Sequence, residues 1–225
     1  MAVAREEFAL LRDAAPAEVD ELLSRARRRR FTAGEVVFHA GDPADSLHLV
    51  RRGRFAVRIT TEFGDIATIN VLGQGDAFGE LALLTPGAPR SATVAALEEA
   101  ETLSIHEIEF AAMRDRAPQI DRLLSGLLAA QVRRLSSQLV EALYLPADTR
   151  VRRRLLDVVA AFGPVERGTV VPLTQEELAS LAGTSRATVN KVLRDEQAAG
   201  TVELSRGRTT LLDPQALERK ARPFS

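Results

Sequence analysis

Between Phe31 and His106 the apolar positions come in short alternating runs, each closed by a turn rich in Gly, Asp or Pro. Glu35-Val36-Val37-Phe38 precedes Gly41-Asp42-Pro43, and Leu47-His48-Leu49-Val50 precedes Arg51-Arg52-Gly53. Phe55-Ala56-Val57-Arg58-Ile59 precedes Glu62-Phe63-Gly64-Asp65, and Ile66-Ala67-Thr68-Ile69 leads to Gly73-Gln74-Gly75-Asp76. Period-two runs at this spacing predict a β sandwich or barrel. Ahead of them, Ala17 to Arg30 reads as a helix introduced by Pro16, with Val19, Leu22 and Leu23 inward. Arg27-Arg28-Arg29-Arg30 is then its solvated last turn, where cations suit the helix dipole.

After His106 the period changes. A long helix is expected from Pro118 to about Tyr144, with Leu124, Leu128, Gln131, Leu135, Gln138 and Ala142 in the 4-3-4-3-4 spacing of a two-stranded coiled coil. Leu123, Leu127, Val132 and Leu139 thicken its apolar face and are expected against the strand domain. Such a helix is about 37 Å long at ~1.5 Å per residue. One small domain does not cover that length, so a second copy of the chain is expected along the seam. Tyr144-Leu145-Pro146-Ala147 interrupts it, and Asp148 is placed as the cap of a next helix, Thr149 to Phe162. Gly163-Pro164 and Arg167-Gly168 bracket an expected hairpin ending in Val170-Val171-Pro172-Leu173.

Thr174-Gln175-Glu176-Glu177 fits a capping box, and Leu178, Ala179, Leu181 and Ala182 are buried-type residues. Gly183-Thr184 makes a tight turn, and Ser185 caps a second helix with Val189, Val192 and Leu193 inward. Small residues at the crossing and Gly in the turn are what a helix-turn-helix requires. Arg186, Ala187, Asn190, Lys191 and Arg194 share the outward face, where donors suit base edges and phosphates of the major groove. Gln175, Ser185 and Thr188 complete the expected DNA-contacting set. Val202-Glu203-Leu204 and Thr209-Thr210-Leu211-Leu212 flank Ser205-Arg206-Gly207-Arg208 as a wing, whose Arg206 and Arg208 can reach phosphate.

The densest chemistry lies from Gly73 to Val94. Phe78-Gly79-Glu80 ends an apolar strand, and Glu80-Leu81-Ala82-Leu83-Leu84 reads as one helical turn. The free N–H groups opening that turn favour an anion. Past Pro86, Gly87 and Pro89, Arg90 and Ser91 return with a guanidinium fork and a hydroxyl, opening the strand Ala92-Thr93-Val94. A carboxylate beside an anion site needs a hydroxyl to accept from. A sugar phosphate supplies both groups.

This stretch resembles the phosphate-binding cassette of cyclic-nucleotide-binding domains, in the form found in the Crp/Fnr family of bacterial transcription regulators. The resemblance implies that Glu80 takes the ribose 2′-hydroxyl, that Arg90 and Ser91 take the cyclic phosphate, and that Gly79 and Leu81 frame the site. Glycines at Gly34, Gly41, Gly53 and Gly75 match turns of the family's β-roll. The chain departs from the cAMP-responsive pattern on the long helix, where the family has a Thr-Ser pair gripping adenine. Counting from Arg133-Arg134-Leu135 places Gln138-Leu139 there, whereas counting back from the hinge places Leu135-Ser136. The first count fits a ligand fixed relative to the roll, and Gln138 then faces the base. On the second helix of the reading head, Arg186 sits at the family's guanine-reading arginine, Ala187 replaces a glutamate and Lys191 an arginine.

The expected architecture is α+β: a jelly-roll-like β-roll sensor over residues 1–117, a dimerisation helix and hinge over 118–145, and a winged helix-turn-helix over 146–225. The resemblance implies a homodimer on a near-palindromic double-stranded DNA site, with RNA polymerase as a further partner and cAMP or another cyclic nucleotide as effector. Two rivals stand beside it: a regulator whose roll is structural or differently liganded, and an enzyme using the roll as its control module. The latter finds no catalytic constellation after Leu145. The net charge of −1 divides unevenly, with 13 basic against 10 acidic residues over 144–225 and 17 against 21 before, so the mildly basic part coincides with the reading head. With no cysteine, disulfides and cysteine-ligated iron–sulfur clusters are excluded. His39, His48 and His106 include no i, i+4 pair, so no metal is expected and His48 is read as a packing residue. No apolar run approaches the ~20 residues of a membrane span, and a cytoplasmic protein is expected.

Overall fold

Strand pairing overrides helix propensity at the arginine run. In the computed structural model, which describes residues 8, 16–85, 87–114, 119–162 and 165–222, helix α1 covers Pro16–Arg25 and stops there. Arg27–Phe31 is strand β1, antiparallel to β8 (Ala100–His106). The run expected as a helix end is therefore an edge strand. Its cause is Glu101 opposite: Arg28 reaches that carboxylate at 2.5 Å, Arg51 at 2.8 Å and Arg30 at 3.6 Å. Phe31 closes the strand by entering the core.

The strands form two four-stranded sheets, ordered β1-β8-β3-β6 and β2-β7-β4-β5. Here β2 is Val36–Phe38, β3 Ser46–Arg52, β4 Phe55–Thr60, β5 Ile66–Leu72, β6 Ala77–Phe78 and β7 Thr93–Ala96. Strand β3 is covered on both faces, which explains its unbroken apolar text. Its Leu47 and Leu49 join a cluster with Val19, Leu22, Ile105 and Phe110. Its Val50 joins a second cluster with Phe31, Phe55, Phe78 and Val94. Phe110 belongs to α3 (Glu107–Arg114), a helix the alternation did not reveal.

Helix α2 is the single turn Leu81–Leu84, and α4 runs Gln119–Tyr144. Its expected start at Pro118 lies outside the described residues. Part of α4 departs from the expected division of its faces, while Leu135, placed on the seam, is exposed. Leu124, placed on the dimer seam, is buried in the first cluster beside Leu83 and Ile105. Val132 and Leu139, placed against the roll, are 61% and 60% exposed. Burying a leucine contributes ~1.5–3 kcal/mol, and Leu124 commits the helix rotation. Gln131 and Gln138, one and two heptads on, are half-buried, while Val132, Leu135, Leu139 and Leu143 form an exposed stripe.

Residues up to 59 with 72–134 form one unit, and 60–71 with those from 135 on form another. In the latter, α5 is Ala147–Phe162. Asp148 lies inside its first turn rather than capping it, accepting from Arg152 Nη1 at 2.7 Å one turn on. Helices α6 (Gln175–Ala182) and α7 (Arg186–Ala198) follow. Val170–Val171 is β9, and it pairs with β11 (Arg208–Leu211) instead of closing a local hairpin. With β10 (Val202–Ser205) this gives a three-stranded wing sheet, β10-β11-β9. Asp213 caps a last helix, α8 (Pro214–Ala221), with Pro214 at its first position and Leu217 buried. Among the described residues, no helix is long and apolar enough to cross a membrane.

Candidate functional site

The cassette is assembled around a buried guanidinium. The turn after β2 holds the Arg90 backbone: Arg90 N–H donates to Asp42 O at 2.8 Å, and Gly41 N–H donates to Arg90 O at 2.9 Å. The side chain then turns inward, 6% exposed, with its Cζ 4.0 Å from the centre of the Phe38 ring. Nη1 donates to Ser46 O at 2.8 Å, and Nη2 donates to Ser46 Oγ at 3.0 Å and to Asp45 Oδ1 at 3.1 Å. Its Nε is buried with no hydrogen-bond partner among the described residues. A buried donor left unpaired is costly, so the guanidinium keeps capacity for one further acceptor.

Gly79 is what lets the arginine in. Its φ of +83° suits glycine, and a Cβ there would stand 2.7 Å from both Arg90 Nη1 and Ser46 O. Glu80 follows, 7% exposed, at the head of α2. Burial pushes its carboxyl above the ordinary range, against the pull of its own backbone N–H and of the Arg134 and Arg90 charges. Leu81 and Ser91 are exposed at the rim, and Gln138 lies half-buried on α4. Arg90, Gly79 and Glu80 are thus brought together, while Gln138 belongs to the other unit.

His48 packs beneath the cassette. Its ring stacks on Phe78 at 4.9 Å, with Nδ1 3.1 Å from Thr102 Oγ1 and Nε2 3.3 Å from Ser46 Oγ. Burial, then the charges of Arg90 and Arg29, pull its pKa down to about 3. The folded value lies below the unfolded ~6.5, so this stabilisation is complete above that pH and is lost as pH falls toward 3. Below about pH 5.5 the loss approaches ~1.4 kcal/mol per pH unit. Urea unfolding at pH 7, 6 and 5 should show this slope in the wild type, and His48→Phe should lack it. Equal slopes in the two proteins would mean the imidazole is free to protonate in the fold.

The reading head carries a group of exposed cations on α7 and the wing. Thr174 Oγ1 accepts from Glu177 N–H at 3.2 Å, and Glu177 Oε2 accepts from Thr174 N–H at 2.9 Å, closing the capping box. Gly183 ends α6 in the left-handed conformation, φ 58° and ψ 47°. Ser185 caps α7, its Oγ accepting from Thr188 N–H at 3.2 Å. Arg150 is spent on the carbonyls of Leu145, Ala182 and Gly183. Arg152 and Lys220 are spent on the buried Glu196, and Arg153 and Arg154 on Glu141. By contrast Arg186, Lys191 and Arg194 on α7 are exposed, as are Arg206 and Arg208 at the wing tip, and no ion pair engages them among the described residues. Ala187 is exposed beside Arg186. Gln175 and Asn190 are half-buried and bonded to each other.

Comparison with known proteins matches both regions. Residues 28–117 match the cyclic nucleotide-binding domain, and residues 149–220 match the Crp-like helix-turn-helix domain. The cyclic AMP receptor protein of Thermus thermophilus is 35% identical over 91% of this chain and 92% of its own. The chain belongs to the Crp/Fnr family of transcription regulators. A CRP-like cAMP-activated global transcriptional regulator of Mycobacterium tuberculosis is 30% identical over 92% of this chain and 93% of its own. The crystal structure of the Thermus thermophilus catabolite activator protein covers 94% of this chain and 97% of its own, at 33% identity and a TM-score of 0.54.

As a Crp/Fnr regulator the chain shows the family's β-roll and DNA-binding helix-turn-helix, and its relatives are named regulators rather than enzymes. Sequence reasoning missed Phe38, Asp45 and Ser46 in the cassette. They meet Arg90 across 44 to 52 residues of chain, and no local spacing signals such a contact. It also used Arg134 only to count along the helix, although that charge acts on Glu80.

Proposed function

We propose that this protein is a homodimeric transcription regulator whose DNA binding is controlled by a cyclic nucleotide held in the β-roll. The observation that carries the reading is Arg90: buried, admitted only because residue 79 is glycine, and holding an unpaired Nε beside a buried carboxylate. A cyclic phosphate supplies the acceptor that Arg90 lacks, Ser91 adds a hydroxyl from the rim, and the ribose 2′-hydroxyl donates to Glu80. Residues 1–117 then act as sensor, 118–145 as dimerisation helix and hinge, and 146–225 as the DNA-binding domain. Ligand shifts the DNA-binding equilibrium only by the difference in its affinity for the two arrangements of the dimer. The similarity to a CRP-like cAMP-activated global transcriptional regulator and to a cyclic AMP receptor protein supports cAMP as the effector.

Isothermal titration of nucleotide-stripped protein with cAMP and with cGMP tests this. Binding of one molecule per chain, together with tighter binding to operator DNA, is expected. Absence of binding to both would leave a regulator whose roll answers another ligand.

A further inference from the structure

Asn190 differs from its neighbours on the reading face of α7. Arg186, Lys191 and Arg194 are long, exposed and unpaired among the described residues, whereas Asn190 is short, half-buried and tethered. Its Nδ2 donates to Oε1 of Gln175, the first residue of α6, at 3.0 Å. A carboxamide has a donor end and an acceptor end of nearly equal shape, and a free one presents either. Gln175 ties one end of the group down: in this structure its carbonyl accepts from the nitrogen end of Asn190, leaving Oδ1 and the second Nδ2 hydrogen without a partner among the described residues.

We propose that Gln175 is a positioning residue, holding the Asn190 carboxamide so that Asn190 reads an adenine in each half-site. An acceptor and a donor side by side match the N6–H donor and N7 acceptor that adenine shows in the major groove. Arg186 lies four residues before Asn190, one turn away on the same face at ~5.4 Å. The arginine and the asparagine therefore address base pairs one or two steps apart. Arg186 suits a guanine through its fork. Gln175 acts through Asn190 and need not touch a base itself. The inference rests on α7 being the DNA-reading helix.

Site selection from random DNA tests it, with the full-length protein, cAMP present, and binding titrated at several salt concentrations. Wild type should select adenine at one position of each half-site by about 10-fold or more, and Asn190→Ala should lose that preference. Gln175→Leu should lose most of it at the same position while keeping the guanine that Arg186 reads. Gln175→Glu retains the accepting oxygen, so it should weaken binding to all sequences through its charge yet keep the adenine preference. Thermal unfolding of each variant verifies that the fold is intact. Full adenine preference in Gln175→Leu would overturn the positioning role. So would a uniform loss across sequences with a shallower salt slope, the mark of a phosphate contact. If Arg186→Ala shifts base preference and Gln175→Leu does not, the reading helix stands and this inference fails. If neither Arg186→Ala nor Asn190→Ala alters selection, the assignment of α7 fails and the inference with it.

Discussion

Arg90→Ala is expected to lower affinity for the cyclic nucleotide by about 10- to 150-fold. The one charge-assisted hydrogen bond that its free Nε can give a phosphate, at ~1.5–3 kcal/mol, corresponds to that range. The variant also empties the space between Gly79, Ser46 and Phe38, so folding must be measured beside binding. Arg90→Lys keeps the charge but not the fork, and should recover only part of the affinity. Ser91→Ala should cost about 10-fold or less, as one neutral hydrogen bond at the rim is worth ~0.5–1.5 kcal/mol. Glu80→Ala should narrow the preference for a ribose over a 2′-deoxyribose ligand, a ratio that general loss of folding does not change. Calorimetric titration of each variant reads all four effects. Wild-type affinity in a folded Arg90→Ala would remove the phosphate from this pocket.

The parts of the fold set by local chemistry were legible. The turn glycines, the capping box at Thr174 and the small residues of α6 each act within a few positions, and the structure places them as the pattern implied. Legibility failed where a distant partner decided. Arg27–Arg30 reads equally well as a helix end or a strand until Glu101, more than 70 residues later, is known to lie opposite. Val170–Val171 reads as half of a local hairpin because its partner β11 lies 38 to 40 residues later. In the cassette, Glu80 and Arg90 were visible as a spaced pair. Asp45 and Ser46, which take up the guanidinium of Arg90, carried no signal beyond following a turn. The rotation of α4 was ambiguous for a related reason. Two overlapping stripes satisfy the heptad, and only the burial of Leu124 against the roll selects between them.

In the proposed dimer, that rotation fixes which residues the second copy covers. Leu135→Glu combined with Leu139→Glu is expected to give a monomer that fails to bind operator DNA. In the chain by itself Leu135 is 52% and Leu139 60% exposed, next to Val132 at 61% and Leu143 at 67%. A run of this kind at 3- and 4-residue spacing is the seam of a helical pair. Covering the exposed half of each leucine gives roughly 1 kcal/mol. Four such leucines in a dimer then contribute about 4 kcal/mol, or about a thousandfold in the dissociation constant. Four glutamates facing one another across the seam add repulsion to that loss. Because neither leucine belongs to the core of the roll, the variant should keep its thermal unfolding and its nucleotide affinity, apart from any share the dimer contributes. Gln131→Glu and Gln138→Glu lie on the half-buried side and should perturb assembly less. Sedimentation at micromolar concentration separates the outcomes, and operator binding follows it, since two reading helices must sit about 34–36 Å apart to engage one near-palindromic site. A double variant that still sediments as a dimer would place the interface on another surface and return the α4 stripe to the list of unexplained features.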